Sequence, residues 1–518
     1  MTGKEAFAWQ LSILSLTLLL SSPALSQSGP DGLPRLESSE CPTQALRELG
    51  ATCHTFHAPE NWSAPDGNTI SLPVAVLEPD GDEPDKNSLP VFFFPGGPGF
   101  SSLGEREYLE QLLKDIGNRT LVTMDNRGFT HAEPALECPE YAAVSPYHNI
   151  IHTPAITASL DPMERMDAVA SAVSDCYHKL VDEGIDVSQY NAHAVSRDVD
   201  EIRQLLGYEQ IDAFGSSTGS GTLVSFIQYY PDSIRAAILG WAWYNHLRNR
   251  PPVDEFYTAK QLFTYTLSLC AAEDEACREL VPNWFLAIDR ARRTLDSRPF
   301  IAQVEKNTAS EKTLYFDGAA FLDTLYLTLA SDYAELPSLV ADIEAGDYSR
   351  LPAFFRIEEY NPDPQAPTYA LGYFLAHACG DMGANRPSVA DSTNAVAREP
   401  AVLGFEPIWL CAWWGEDGDV PIEHNDPPIS ETPALAIHGE MDPCCTPRWS
   451  EHLRRTMPNL QYVVYQGLGH NPVNECRSTM IQAFLDDPLR PVDASCRDEV
   501  ARQPWVLESS NSRGSDVL

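Results

Sequence analysis

A chain of 518 residues, 43% hydrophobic and 21% charged, carries 74 acidic against 35 basic side chains, a formal charge of −39. A field of that sign repels nucleic acid and anionic membrane surfaces, so neither is expected as a partner. The acids are spread along the chain rather than gathered in blocks, the pattern of a solvated surface.

The N-terminus has the layout of a signal peptide. Lys4 precedes a short apolar run, Leu11 to Leu20, and Ala24-Leu25-Ser26 gives the small-x-small pattern of a cleavage site after Ser26. The run is too short to span a bilayer comfortably, and no other stretch approaches transmembrane length, so no stable membrane insertion is expected. The mature chain is expected to be secreted or periplasmic. Twelve cysteines fit an oxidising compartment.

Gln27 to about Glu40 reads as a Pro/Ser/Gly-rich lead, with ordered structure beginning at Cys41. Ser71 to Glu78 reads as a strand, and Pro79 to Asn87 as a polar turn. Leu89-Pro90-Val91-Phe92-Phe93-Phe94 is a fully apolar strand running into the loop Pro95-Gly96-Gly97-Pro98-Gly99. Leu121 to Met124 is the strand before Asp125-Asn126-Arg127-Gly128. Apolar residues recur at helical spacing over Ala168–Leu180 and Arg197–Leu206.

The most informative segment follows. Ile211 to Phe214 reads as a strand, Gly215-Ser216-Ser217-Thr218-Gly219 is a G-x-S-x-G, and Leu223 to Ile227 reads as helix. A strand-to-helix turn of this kind holds the central hydroxyl clear of the backbone, which makes Ser217 a candidate nucleophile. A serine hydroxyl needs a base to take its proton, and the base needs an acid to fix its tautomer. Both are expected downstream in the order acid, then histidine.

Ile234 to Gly240 is the next strand. From there to the strand Pro433–Ile437 lie about 190 residues, far too many for a loop. Helical patterns at Phe256–Leu269, Trp284–Leu295, Gly318–Leu329, Leu336–Ile343 and Ala370–Ala378 predict a helical cap inserted over the site. Pro433–Ile437 leads into His438-Gly439-Glu440-Met441-Asp442-Pro443. Gln461–Tyr465 leads into Gly467-Leu468-Gly469-His470. Asp442 and His470 therefore fall on loops just past strand ends, where such sheets carry their catalytic groups. The oxyanion of an acyl transfer would be met by the N–H of Thr218 and by one from the glycine loop, Gly97 first and Gly96 as the alternative.

His438, Glu440 and Cys444 crowd together, which raises a metal. Pro443-Cys444-Cys445-Thr446-Pro447 lacks the second cysteine of P-C-x-x-C at that spacing, and no H-E-x-x-H occurs. No nucleotide-binding glycine motif appears either. No metal and no cofactor are expected.

The motifs at 95–99, 125–128, 215–219, 439–443 and 469–470 together resemble the prolyl iminopeptidase and tripeptidyl aminopeptidase-like serine peptidase branch of the α/β-hydrolases, from about Cys53 to Cys496. The resemblance implies the α/β-hydrolase fold, a mostly parallel central sheet flanked by helices. It also implies a serine hydrolase that removes residues from free peptide N-termini, with Arg127 bracing the loop near the oxyanion hole. Pro95, Asn126, Thr218 and Gly240-Trp241-Ala242-Trp243 depart from the branch pattern and are expected to alter the pocket wall.

Resemblance and proximity suggest the bridges Cys41–Cys53, Cys138–Cys176, Cys270–Cys277, Cys379–Cys411 and Cys476–Cys496. Cys444 and Cys445 would then form a strained vicinal bridge, or would instead pair with Cys476 and Cys496. An exopeptidase also needs carboxylates for the substrate ammonium. Glu358 and Glu359 lead the cap candidates, with Asp363 and Asp381 behind them.

The expected organisation is a signal peptide at 1–26, a first part of the hydrolase core at 27–245, and a helical cap at 246–428. A second part of the core follows at 429–504, with a tripeptidyl aminopeptidase-like C-terminal region, then a disordered polar tail at 505–518. The expected substrate is a small peptide. A small ester or other amide is the alternative, and a catalytically inactive binding module is the reading from a different class. Oligomeric state does not follow from the sequence.

Overall fold

A computed structural model describes residues 32–79, 88–144, 161–244, 254–304, 312–331, 333–355, 370–382, 386–398, 407–415, 426–500 and 502–507. Eleven strands are described: β1 (Arg35–Ser38), β2 (Thr52–Pro59), β3 (Thr69–Leu77), β4 (Val91–Phe94), β5 (Leu121–Met124), β6 (Ile211–Ser216), β7 (Ile234–Gly240), β8 (Phe300–Val304), β9 (Lys312–Phe316), β10 (Ala434–Gly439) and β11 (Leu460–Tyr465).

Nine of them form one sheet in the order β1-β2-β3-β5-β4-β6-β7-β10-β11. Pairing is antiparallel from β1 to β5 and parallel from β5 onward. The parallel strands are the apolar runs. Every residue of β4, β5, β6 and β10 is buried, as strands covered on both faces require. One face packs against the helices Arg106–Ile116 and Glu475–Asp486, around Phe93, Phe214, Ile238, Ile437 and Phe484. The other packs against Ala192–Leu205 and Thr218–Tyr229, in a core continuous with the inserted helices. β4, β6, β10 and β11 are parallel, with β7 between β6 and β10, so their carboxyl ends share one end of the sheet, and the four site loops spring from them.

All seven strands expected from the sequence are present. Ordered structure begins earlier than Cys41, because Arg35–Ser38 pairs with His54–His57 at the sheet edge. The inserted region holds helices Asp254–Glu273, Trp284–Ser297, Gly318–Ser331, Leu336–Ala345, Leu371–Met382 and Val389–Arg398. It also holds the antiparallel hairpin β8–β9, which helical spacing did not predict.

The expected disordered tail is in part packed. Trp505 meets the ring of Tyr333 edge-on at 5.7 Å, and the Val506 N–H donates to Ala334 O at 3.0 Å. The five suggested bridges are formed. Because Cys476 pairs with Cys496, neither is left for Cys444 or Cys445, and that alternative falls. The expected signal peptide at 1–26 lies outside the described residues. Among the described residues no helix is long and apolar enough to cross a membrane.

Candidate active site

Strand β6 ends at Ser216 and a helix starts at Thr218, so Ser217 alone must turn the chain from sheet to helix. It does so at φ 52° and ψ −122°, a left-handed conformation that costs a non-glycine residue on the order of 1–3 kcal/mol. Backbone bonds offset the cost. Ser217 N–H donates to Gly240 O at 2.9 Å, and Ser217 O accepts from the N–H groups of Trp243 and Ser220, each at 3.0 Å. The flanking glycines are required by close approach: a Cβ on Gly219 would stand 2.0 Å from Phe94 O, and one on Gly215 2.6 Å from Ser220 Cα.

The glycine loop after β4 lies flat against this turn. A Cβ on Gly96 would come within 2.3 Å of Ser216 O and 2.9 Å of Ser217 Cβ. Gly97, at φ 55°, reverses the chain there. The loop is fixed from behind by Asp125, which accepts from Ser101 Oγ at 2.7 Å and has His131 Nδ1 at 2.9 Å. It is fixed from the inserted region by the Ala370 N–H, which donates to Gly99 O at 3.0 Å.

Asp442 and His470 come together. The His470 Nδ1–H donates to Asp442 Oδ2 at 2.8 Å, while Asp442 Oδ1 accepts from the backbone N–H groups of Cys444 at 3.1 Å and Cys445 at 3.0 Å. The Asp442 side chain is fully buried and that of His470 is 28% exposed, so the imidazole alone opens to the outside. Burial works against the charge on each. Their mutual attraction outweighs it, holding Asp442 below the usual carboxylate range and His470 well above the ordinary imidazole value. The two loops are laced by the N–H of Gly467, which donates to Glu440 Oε2 at 2.9 Å, and that of Met441, which donates to Leu468 O at 2.8 Å.

A pair of sulfurs flanks the serine and the imidazole. Ser217 Oγ is 3.7 Å from Cys445 Sγ, Cys444 Sγ is 3.7 Å from His470 Nδ1, and the two sulfurs are 2.8 Å apart. The contact with Cys445, together with burial, pushes the Cys444 thiol well above its usual range, so it stays protonated at neutral pH. Asp442, Cys444, Cys445 and His470 offer donor atoms within 4.8 Å of one another. The carboxylate oxygens in this set are already engaged by the imidazole and the two amides.

His438, which the sequence placed beside a possible metal, is a buried brace. Its Nδ1–H donates to Cys445 O at 3.1 Å, and Nε2 lies 2.6 Å from Ser450 Oγ. Burial pulls its pKa down to about 4, so it is neutral and holds the cysteine pair from behind.

Trp241 was expected in the pocket wall. It is instead buried beneath the site, with its Nε1–H donating to Ser216 Oγ at 3.0 Å and its ring edge-on to His470 at 6.3 Å. Tyr108 OH donates to the same Ser216 Oγ at 2.9 Å. No local motif marks this layer, since it joins three distant parts of the chain.

Arg127 is fully buried. It binds Asp198 through two nitrogens, each at 2.7 Å, and donates to Glu60 O at 2.6 Å and Gln189 O at 3.0 Å. Asp381 is also buried, with His377 Nδ1 at 3.3 Å, and burial raises its pKa to about 7. Glu358, Glu359 and Asp363 lie outside the described residues.

The sequence is similar to several characterised proteins. Serine protease Hip1 of Mycobacterium tuberculosis is 27% identical over 200 residues, which cover 37% of this chain and 36% of the protease. The chain thus spans about a third of the length of that relative. Carboxylesterase B of the same organism is 23% identical over 493 residues, covering 86% of each. A proline iminopeptidase structure from Mycobacterium smegmatis covers 84% of this chain and 98% of its own, at 14% identity and a TM-score of 0.40. The pattern of the alpha/beta hydrolase fold matches residues 90–475, well over half the chain. With the parallel sheet and the loops at its carboxyl end, that match shows that the chain belongs to the α/β-hydrolase family.

Proposed function

We propose that this α/β-fold hydrolase is an exported serine hydrolase that cleaves amide bonds near the free N-termini of short peptides. In this reading Ser217 attacks the carbonyl carbon as His470 takes its proton, and Asp442 holds the imidazole and stabilises its charge. The N–H groups of Thr218 and Gly97 receive the oxyanion, aided by the positive end of the helix that starts at Thr218. The proton then passes from His470 to the leaving amine, and water releases the acyl group from Ser217.

The observation that carries this reading is the 2.8 Å contact of His470 with a fully buried Asp442, beside a serine held at a left-handed turn. A buried, doubly amide-bonded carboxylate is a costly feature to maintain without such a task. The region 246–428 is read as a cap that narrows access. Tyr265 OH donates to Glu440 Oε1 at 3.3 Å, and Ala370 backs onto Gly99. Glu358 and Glu359 stay as candidates to hold the substrate amine. The five bridges support export into an oxidising compartment.

A second reading, a carboxylesterase, is favoured by the relative that matches along most of the chain, which is named for that activity. Amino-acyl and short peptidyl anilides with free and blocked amines, run beside nitrophenyl esters, separate the two. The aminopeptidase predicts turnover of the free-amine anilides alone. Equal turnover of blocked substrates ends that assignment, and turnover of esters only installs the esterase. Failure of a fluorophosphonate probe to label the wild type would leave the inactive binding module.

A further inference from the structure

Cys444 and Cys445 touch every member of the proposed triad. Their sulfurs lie 3.7 Å from His470 Nδ1 and from Ser217 Oγ respectively, and their two amides supply the hydrogen bonds to Asp442 Oδ1. They stand as thiols, whereas the chain's ten other cysteines are bridged. The sulfur–sulfur separation of 2.8 Å is about 0.8 Å beyond a disulfide bond of about 2.05 Å.

We propose that this pair is a modification site: it closes into a vicinal disulfide under oxidising conditions, and closure slows the hydrolase by disturbing the amides that hold Asp442. The oxidant is a small-molecule disulfide, R–S–S–R. The Cys444 sulfur attacks it from the small thiolate fraction that its raised pKa leaves, so the step is slow at neutral pH and quickens as pH rises. The S–S bond breaks and one RSH is released. The Cys445 sulfur then displaces the second RSH as the Sγ–Sγ bond forms. The two cysteine S–H protons end on the two RSH molecules; the cysteines are oxidised and R–S–S–R is reduced.

The coupling to Asp442 follows from covalent geometry. Adjacent Cα atoms are held about 3.8 Å apart across a trans peptide, whereas disulfide-linked Cα atoms usually sit about 4.4–6.8 Å apart. Because that spacing is fixed, joining neighbours closes a strained eight-membered ring, which twists the peptide between them out of its relaxed plane and orientation. That peptide carries the Cys445 N–H, one of the two donors to Asp442 Oδ1. The same peptide unit is flanked by the Cys445 carbonyl that His438 anchors, so the twist falls on the side facing the acid. A bridge between neighbours closes no chain loop and constrains the unfolded chain little, so it can open and close without endangering the fold.

The effect on rate rests on the assignment of Asp442 above, but the bond itself is read without any substrate. The purified full chain, treated with oxidised glutathione, is denatured without reductant and exposed to iodoacetamide. The expected result is no added label. After a phosphine dose chosen to add two labels and no more, both should map to Cys444 and Cys445. In parallel, kcat in the native reduced form should exceed that of the oxidised form by about tenfold or more, since small misplacements of a catalytic group cost on that scale. Cys444→Ser should take one label in either state, and its kcat should no longer respond to oxidant. Two labels on the oxidised wild type would overturn the bridge, whatever the enzyme hydrolyses. A bridge that forms while kcat stays the same in both states would overturn the coupling to Asp442.

Discussion

The guanidinium of Arg477 sits 5.1 Å over the indole of Trp241, the ring that stands edge-on to His470. The same arginine pairs with the buried Asp115 at 2.7 Å and donates to Asn471 Oδ1, next to the histidine, at 2.6 Å. One cation thus steadies the base from below and from the side. Trp241→Phe keeps a ring in place but removes the hydrogen bond to Ser216 Oγ. It should lower kcat by roughly tenfold through a looser imidazole, with KM little changed. Steady-state kinetics on the best anilide or ester checks this, and a change in KM alone would place Trp241 in the substrate pocket instead.

The proposed chemistry predicts steep losses at the triad. Ser217→Ala should abolish fluorophosphonate labelling and cost on the order of 10⁴–10⁶ in kcat, and Asp442→Asn about 10⁴. Labelling that persists in Ser217→Ala would direct the search to another nucleophile.

The pH profile has a defined sign. His470 accepts a proton only when neutral, and the Asp442 carboxylate holds its pKa well above the ordinary value. Activity should therefore fall as pH drops through a limb lying above about 6.5, the free imidazole value. Asp442→Asn removes the attraction and should move the limb to lower pH. The stabilisation from this raised pKa is present below the unfolded value and disappears as pH rises through the folded one. A limb in kcat/KM that does not move in the variant would exclude His470 as the titrating base.

Arg127 is predicted to matter for folding and not for chemistry. Arg127→Met leaves Asp198 buried without its partner and should cost about 3–5 kcal/mol, read from denaturant unfolding. The folded fraction should keep the wild-type KM. A stable variant with lost activity would instead bring Arg127 into the catalytic machinery.

Gly219→Ala tests the turn. The new methyl would meet the carbonyl oxygens of Phe94 and Pro95 at 2.0 and 2.6 Å, both backbone atoms that cannot swing aside. The expected cost is about 1–3 kcal/mol or more, with the glycine loop pushed off the serine. Thermal unfolding and kcat should fall together.

Much of this arrangement was legible because the buried parallel strands are unbroken apolar runs, as in Val91–Phe94, and because Gly/Pro loops mark their ends. Strands β1 and β2 were not, since RLES and TCHTFHAP mix histidines and charges at a half-exposed edge. The hairpin β8–β9 was hidden among helices because its five-residue strands, FIAQV and KTLYF, carry no strict alternation of apolar and polar residues. Which neighbours Cys444 and Cys445 take was undecidable from spacing, and was settled only when Cys476 closed on Cys496. The role of Trp241 is a property of three distant segments meeting, and no window of sequence contains it.

The last packed residues have an engineering consequence. Arg502 pairs with Glu273 at 2.8 Å, and its side chain fills the space beside Gly467 on the histidine loop. Tyr333, against which Trp505 rests, donates to the carbonyl of that same Gly467. The segment 502–507 is a clasp that buckles the inserted helices to the loop bearing the base. A truncation placed before it would unfasten the inserted helices from the loop that carries His470 at one stroke, so an affinity handle belongs beyond residue 507.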